Sequence, residues 1–179
     1  MVRTFIAVEP SDEIKAALAA AGYSLQGTPA RITAVQAPLM HITLRFLGEI
    51  SESQISKITA ALQGIRAPPY QITVSGVGVF GRPPRVIKAD IADGGATADL
   101  ARQIDALLLS LGISKDSKPF SPHLTIARVR EFSPVLLPKI TALKSQPPFG
   151  TCTIGEVVLK KSTLTPSGPI YETIAGVKL

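Results

Sequence analysis

The chain contains two histidines, and both open the same four-residue pattern. His41-Ile42-Thr43-Leu44 and His123-Leu124-Thr125-Ile126 each read His-apolar-Thr-apolar. The copies lie 123 − 41 = 82 positions apart, close to half of the 179 residues. An imidazole with its ordinary pKa of about 6.5 can take or give a proton near neutrality. A pair can divide the work: a neutral ring takes a proton from water, and a charged ring gives one to a leaving oxygen. Each such transfer contributes roughly 10²–10⁴-fold to a rate. The threonine hydroxyls can donate hydrogen bonds to anionic oxygens and stabilise charge there. This set suits in-line displacement at a phosphodiester, above all a strained cyclic one. A lone His-x-Thr reads most simply as a hydrogen-bonded histidine in a packed strand. A matched pair that uses every histidine in the chain points to one shared site.

The same scarcity excludes other chemistries. Two His need at least one more ligand to hold zinc, and no acid accompanies both motifs. One Cys, Cys152, rules out an internal disulfide and reads as a small buried hydrophobe. We therefore expect no metal and no cofactor. Lys and Arg outnumber Asp and Glu by 19 to 13, giving +6 and a pI near 9.7. Such a balance holds a protein near polyanions, with a solubilising surface as the plainer reading. No apolar run approaches the roughly 20 residues of a membrane span. Val2–Val8 is short and runs at once into Glu9-Pro10-Ser11-Asp12-Glu13, unlike a signal peptide. The expectation is a cytoplasmic protein without a membrane.

Strands must hold both motifs. Side chains alternate between faces along a strand, so His41 and Thr43 share a face about 7 Å apart, with Ile42, Leu44 and Phe46 behind them. His123 and Thr125 repeat this, with Leu124 and Ile126 behind. By the same alternation Arg45 shares the face of His41, where it could steer anions. Phe46 falls on the core face, although its ring could stack on a base. Arg128 falls opposite His123 and would need a bulge to reach it; otherwise it is a solvated arginine. Arg82 and Arg85 could meet backbone phosphates, a charged loop being the commoner outcome.

The remaining pattern supplies the scaffold. Strands are expected at Val2–Val8, Arg31–Val35, His41–Leu47, Gln71–Phe80, Arg85–Asp90, His123–Val129, Gly155–Lys161 and Ile170–Val177. Helices are expected from the Ser11 cap to Gly22, over about 52–63 behind a Ser51–Gln54 capping box, and from a Thr97 cap to Gly112. Pro134 to about Leu143 reads as a short helix, and Ser114–Lys118 as a polar loop. Several hairpin-like connections favour an α+β fold with antiparallel sheets over a doubly wound parallel sheet. Each half carries a helix and a Pro-then-His strand, which hints at duplication with a boundary within 81–94.

The sequence resembles the RNA 2′,3′-cyclic phosphodiesterase (2′-5′ RNA ligase) family of the two-histidine (2H) phosphoesterase superfamily. Besides the two motifs, the likeness covers Arg3-Thr4-Phe5-Ile6-Ala7, Arg45 to Glu49, and Gly76-Val77-Gly78-Val79-Phe80 followed by Pro83 to Val86. It continues through Pro119 to Arg128, Lys160 to Leu164, and Gly168-Pro169-Ile170-Tyr171. The resemblance implies one domain, 1–179, of two pseudo-symmetric lobes around a central cleft. Each lobe would be an antiparallel sheet with helices outside. The lobes would be roughly 1–85 and 86–179, with strand exchange between them allowed. It implies metal-independent hydrolysis of RNA 2′,3′-cyclic phosphate ends to 2′-phosphates, with reversible 2′-5′ ligation at the same site. His41 would be the proton donor, His123 the acceptor, and Thr43, Thr125 and Arg128 would hold the phosphate. The partner would be RNA with such an end, tRNA halves among them, and the protein a monomer. A phosphodiesterase for small cyclic nucleotides, or a non-catalytic module for RNA ends, stands as the alternative.

Overall fold

The computed structural model describes residues 1–116 and 119–179. Its strands are β1 (Val2–Val8), β2 (Arg31–Ala34), β3 (Ile42–Ile50), β4 (Tyr70–Phe80), β5 (Val86–Ala92), β6 (His123–Glu131), β7 (Gly150–Ile154), β8 (Glu156–Thr165) and β9 (Gly168–Lys178). The helices are α1 (Asp12–Ser24), α2 (Glu52–Leu62), α3 (Ala96–Ser110) and α4 (Leu136–Lys144). The strands form two sheets, β3-β1-β8-β9 and β2-β6-β5-β4-β7, in which every pairing is antiparallel. Each sheet draws strands from both halves of the chain. The α+β expectation is met.

Local signals explain most element ends. Ser11 caps α1 by accepting from Ile14 N–H, and Ser51 with Gln54 forms a complete capping box on α2. Three expectations need correction. Helix α1 does not stop at Gly22 but runs to Ser24. Gly22 serves packing instead: a Cβ there would lie 2.9 Å from the Ile126 carbonyl oxygen, so only glycine lets α1 lie this close to β6. Thr97 does not cap α3; the Asp93 carboxylate does, accepting from the Gly95 and Thr97 N–H groups at 2.8 Å. Thr97 itself is buried and bonds the Tyr70 hydroxyl at 3.1 Å. Strand β7 was not expected, since Gly150–Ile154 lacks a strong apolar alternation; pairing with β4 supplies what propensity does not. Of the polar loop at 114–118, residues 117 and 118 lie outside the described residues.

Helices cover one face of each sheet. Helix α3 packs on β3 with α2 beside it, while α1 packs on β6 and β7 and α4 on β4. One continuous core fills the space, with Ile6, Ile42, Leu44, Ile87, Leu124 and Ile126 among its buried members. A separate small apolar cluster of Phe5, Ala7 and Val158, with Tyr171 packed on it, lies on the other face of the first sheet. That is the face on which the first histidine sits.

Candidate functional site

His41 precedes β3 directly, and His123 is the first residue of β6. Their surroundings match closely. His41 Nδ1 lies 2.8 Å from the Leu39 carbonyl, and His123 Nδ1 lies 2.7 Å from the Ser121 carbonyl. A carbonyl only accepts, so each Nδ1 carries the proton and donates it to the carbonyl two residues back. In the neutral ring, Nε2 is then the basic atom. No other hydrogen bond among the described residues involves either imidazole. Both threonines stand two residues on, half-buried.

Aromatic rings pack each imidazole. The ring of His41 lies 4.7 Å from Phe5 and 5.3 Å, edge-on, from Tyr171. His123 meets Phe80 edge-on at 4.9 Å. This burial has an electrostatic result. It pushes His41 down to about 4, aided by the Lys160 and Arg128 charges and opposed by the Leu39 hydrogen bond and Glu9. His123 is also pushed down, chiefly by burial, with Lys88 and Arg128 in the same direction and the Ser121 hydrogen bond and Asp90 against it. Arg128 also lowers Tyr171, whose pKa burial otherwise raises. One guanidinium thus acts on both histidines and on Tyr171, which places the two motifs around one cleft.

Two bulges decide which neighbours reach that cleft. In β3, Ala7 pairs with Thr43 but Ile6 pairs with Arg45, so Leu44 is an extra residue. Alternation resets behind it. Arg45 therefore turns into the core, 8% exposed, with Nη1 3.3 Å from Asp105 of α3 and Nη2 donating to the Ser114 carbonyl. Phe46 turns out, 60% exposed, its ring 6.1 Å from Phe5. Both reverse the expectation from strict alternation. In β6, Lys88 pairs with Thr125 but Ile87 pairs with Ala127, so Ile126 is the extra residue. Here the reset brings Arg128 onto the face of His123 and Thr125, as the bulge condition required.

Five charged groups near the histidines were not anticipated. Glu9 accepts from Lys15 at 2.5 Å and from Lys160. Burial pushes its carboxyl up, but the two lysines outweigh that and hold it below the ordinary range. Across the cleft Lys88 binds Asp90 and lies 5.0 Å over the Phe80 ring. Asp90 pairs in register with His123, and Lys88 with Thr125. The i, i+2 spacing of Lys88 and Asp90 does put them on one face, but which strand they border is not written in that spacing. Gly78 leaves room for this lysine, since a Cβ there would stand 3.2 Å from its Cε and Nζ. Cys152 is a free, partly buried thiol packed on the core. Among the described residues, no group of three or more His, Cys, Asp or Glu is placed to hold a metal ion, and no helix is long and apolar enough to cross a membrane.

A model of LigT-like phosphoesterases matches residues 8–88 and 92–171. The chain belongs to that family. It is 34% identical over 175 residues to the RNA 2′,3′-cyclic phosphodiesterase of Archaeoglobus fulgidus, covering 97% of this chain and 98% of that one. The enzyme of the same name from Aeropyrum pernix is 34% identical over 160 residues, covering 87% and 90%. Among solved structures, a protein of Thermus thermophilus superposes with a TM-score of 0.82 at 28% identity, covering 99% of this chain and 97% of that one. E. coli LigT complexed with 3′-AMP shares the fold, with a TM-score of 0.82 at 23% identity and coverage of 99% and 98%.

Proposed function

We propose that the cleft hydrolyses RNA 2′,3′-cyclic phosphodiester ends to 2′-phosphomonoesters through the His41 and His123 pair, without a metal. The observation that carries this is the matched setting of the two rings. Each is locked by its Nδ1 proton on a carbonyl two residues back, leaving Nε2 for chemistry, with a threonine hydroxyl beside it. The activity named for the relatives supports the substrate class.

In this reading the cyclic phosphate sits between the rings. Thr43 and Thr125 donate to its non-bridging oxygens, and Arg128 neutralises charge that builds there. His123 takes a proton from water through Nε2 as the water oxygen attacks phosphorus. The bond to the 3′ oxygen breaks, and that oxygen takes a proton from His41. With the 5′ hydroxyl of a second RNA in place of water, the same displacement joins the cyclic end through a 2′-5′ link: His123 takes the hydroxyl proton, the 3′ oxygen leaves with a proton from His41, and the reverse of that step reopens the link. The reading extends to one catalytic domain over 1–179, acting as a monomer in the cytoplasm, with tRNA halves among its RNAs.

The proton donor has a condition. With its pKa at about 4, His41 is charged in only about one molecule in a thousand at pH 7. The substrate supplies what is missing: a phosphate anion between the rings stabilises the imidazolium and raises both pKa values. Incubating RNA that ends in a 2′,3′-cyclic phosphate with the protein and locating the product phosphate tests the reading. A 2′-phosphate formed equally in the presence of a chelator is expected. A 3′-phosphate, or activity lost to the chelator, overturns it.

A further inference from the structure

The nine arginines fall into two groups. Four are engaged by the protein: Arg31 with Glu131 at 2.8 Å, Arg45 with Asp105, Arg102 with Asp99, and Arg66 with the Gln63 and Ile65 carbonyls. The other five are Arg3, Arg82, Arg85, Arg128 and Arg130. All five are exposed, and among the described residues no ion pair or hydrogen bond takes up their guanidinium groups.

Those five gather at one end of the cleft. Arg82 and Arg85 lie in the turn between β4 and β5. The end of β6 is bonded to that turn, Val129 N–H donating to the Arg85 carbonyl at 2.9 Å, with Arg128 and Arg130 on either side of Val129. Arg3 enters from β1 and, like Arg128, acts on Tyr171. The other end differs. There Asp90 borders His123, Glu9 acts on His41, and the nearby cations Lys88, Lys160 and Lys15 are held by those two carboxylates. Free positive charge therefore begins at Arg128, which acts on both histidines, and continues through the end of β6 to the β4–β5 turn.

We propose that Arg82, Arg85 and Arg130, with Arg3, form a phosphate track that carries the body of an RNA strand away from the cleft over the β4–β5 turn. The proposal rests on the phosphodiesterase reading for what sits in the cleft, and adds which way the strand leaves and what holds it. Unpaired guanidinium groups in a row suit a flexible polyanion, since each neutralises a phosphate and releases a counterion whatever the base. A mononucleotide has no phosphate to reach them. The cleft is then built for oligonucleotide ends.

The test compares a mononucleotide, a dinucleotide and an octanucleotide, each ending in a 2′,3′-cyclic phosphate. KM is expected to fall with length, and to rise with salt for the octanucleotide alone. The triple variant Arg82→Gln, Arg85→Gln, Arg130→Gln should turn over the mononucleotide as before. It should lower the slope of log affinity for the octanucleotide against log salt by about 2, at about 0.7 per lost single-strand contact. Mononucleotide turnover reports that the variant is folded; if it is not, Arg82→Gln alone should lower the slope by about 0.7. A KM independent of length, or an unchanged octanucleotide slope in these variants, overturns the track and leaves the arginines as solvated charges. If the wild type turns over none of the three, the phosphodiesterase reading has failed instead. Fluorescence anisotropy with a 2′-phosphate-ended octanucleotide then applies the same salt criterion to the track.

Discussion

Strands β3 and β6 carry the same motif and the same bulge, yet they deliver different side chains. In each, one extra residue directly follows the threonine, Leu44 in β3 and Ile126 in β6. In each, the residue five places after the histidine is thereby turned to the cleft. That residue is Phe46 in one strand and Arg128 in the other. The backbone is duplicated, and the chemistry is divided: a ring on one wall, a charge on the other. Each histidine also has a lysine–carboxylate pair nearby, but Glu9 is shared by two lysines while Asp90 has one. On the first wall the second lysine, Lys15, also lies 3.9 Å from Asp12, whereas Lys88 and Asp90 form a simple pair on the second. A shared backbone device thus leaves side-chain identity free to differ.

The largest effect should come from the histidines themselves. His41→Ala and His123→Ala should each lower kcat by about 10²–10⁴-fold, and the double variant little further, because the rings act as one unit. Additive losses would show that they act independently. Next, Arg128→Ala should cost about 10²-fold in kcat/KM, whereas Phe46→Ala should raise KM by about tenfold with kcat held. If the two substitutions gave the same kinetic pattern, the division between the walls would collapse.

Titration sharpens the comparison further. By NMR both imidazoles should titrate below 6.5, His41 near 4, and both should move up when inorganic phosphate is added. A His41 that titrates at 6.5 in the free protein removes the need for substrate-assisted protonation. Stability follows the same groups. Folding lowers these pKa values, so the unfolded chain binds more protons between about pH 4 and 6.5. Stability is full above pH 6.5 and falls as pH drops through that window, by about 3 kcal/mol for the His41 change from 6.5 to about 4. Urea unfolding of His41→Gln at both ends of the window should recover that portion. The smallest effect is expected from Gly22→Ala, which forces α1 away from the Ile126 carbonyl at about 1–3 kcal/mol. It should slow turnover too, because Ile126 is the bulge that aims Arg128.

Much of this was legible in the residues. The motif pair pointed to strands, with His123 on one and His41 directly before another, and the capping signals at Ser11 and Ser51 placed two helices. The bulges were not legible, because nothing in Leu44 or Ile126 distinguishes them from ordinary strand residues. A bulge is set by how two strands pair, and pairing is a long-range property. One unread residue in β3 was enough to reverse both Arg45 and Phe46. The aromatic packing of His41 was unreadable for the same reason. Phe5 and Tyr171 lie 166 positions apart in the chain and meet only through β1, β8 and β9 (171 − 5 = 166).

That separation bears on how the molecule is made. Strand β1 is synthesised long before β8, yet it is an inner strand whose second neighbour is β8. Until β8 arrives, one edge of β1 offers open backbone groups, and until β9 follows, His41 lacks the Tyr171 ring. Contacts this distant in sequence make folding slow. During translation the unfinished chain carries an apolar strand edge that can pair with another copy. The β8–β9 hairpin closes that edge, so the ring packing of His41 and protection from aggregation arrive in the same step.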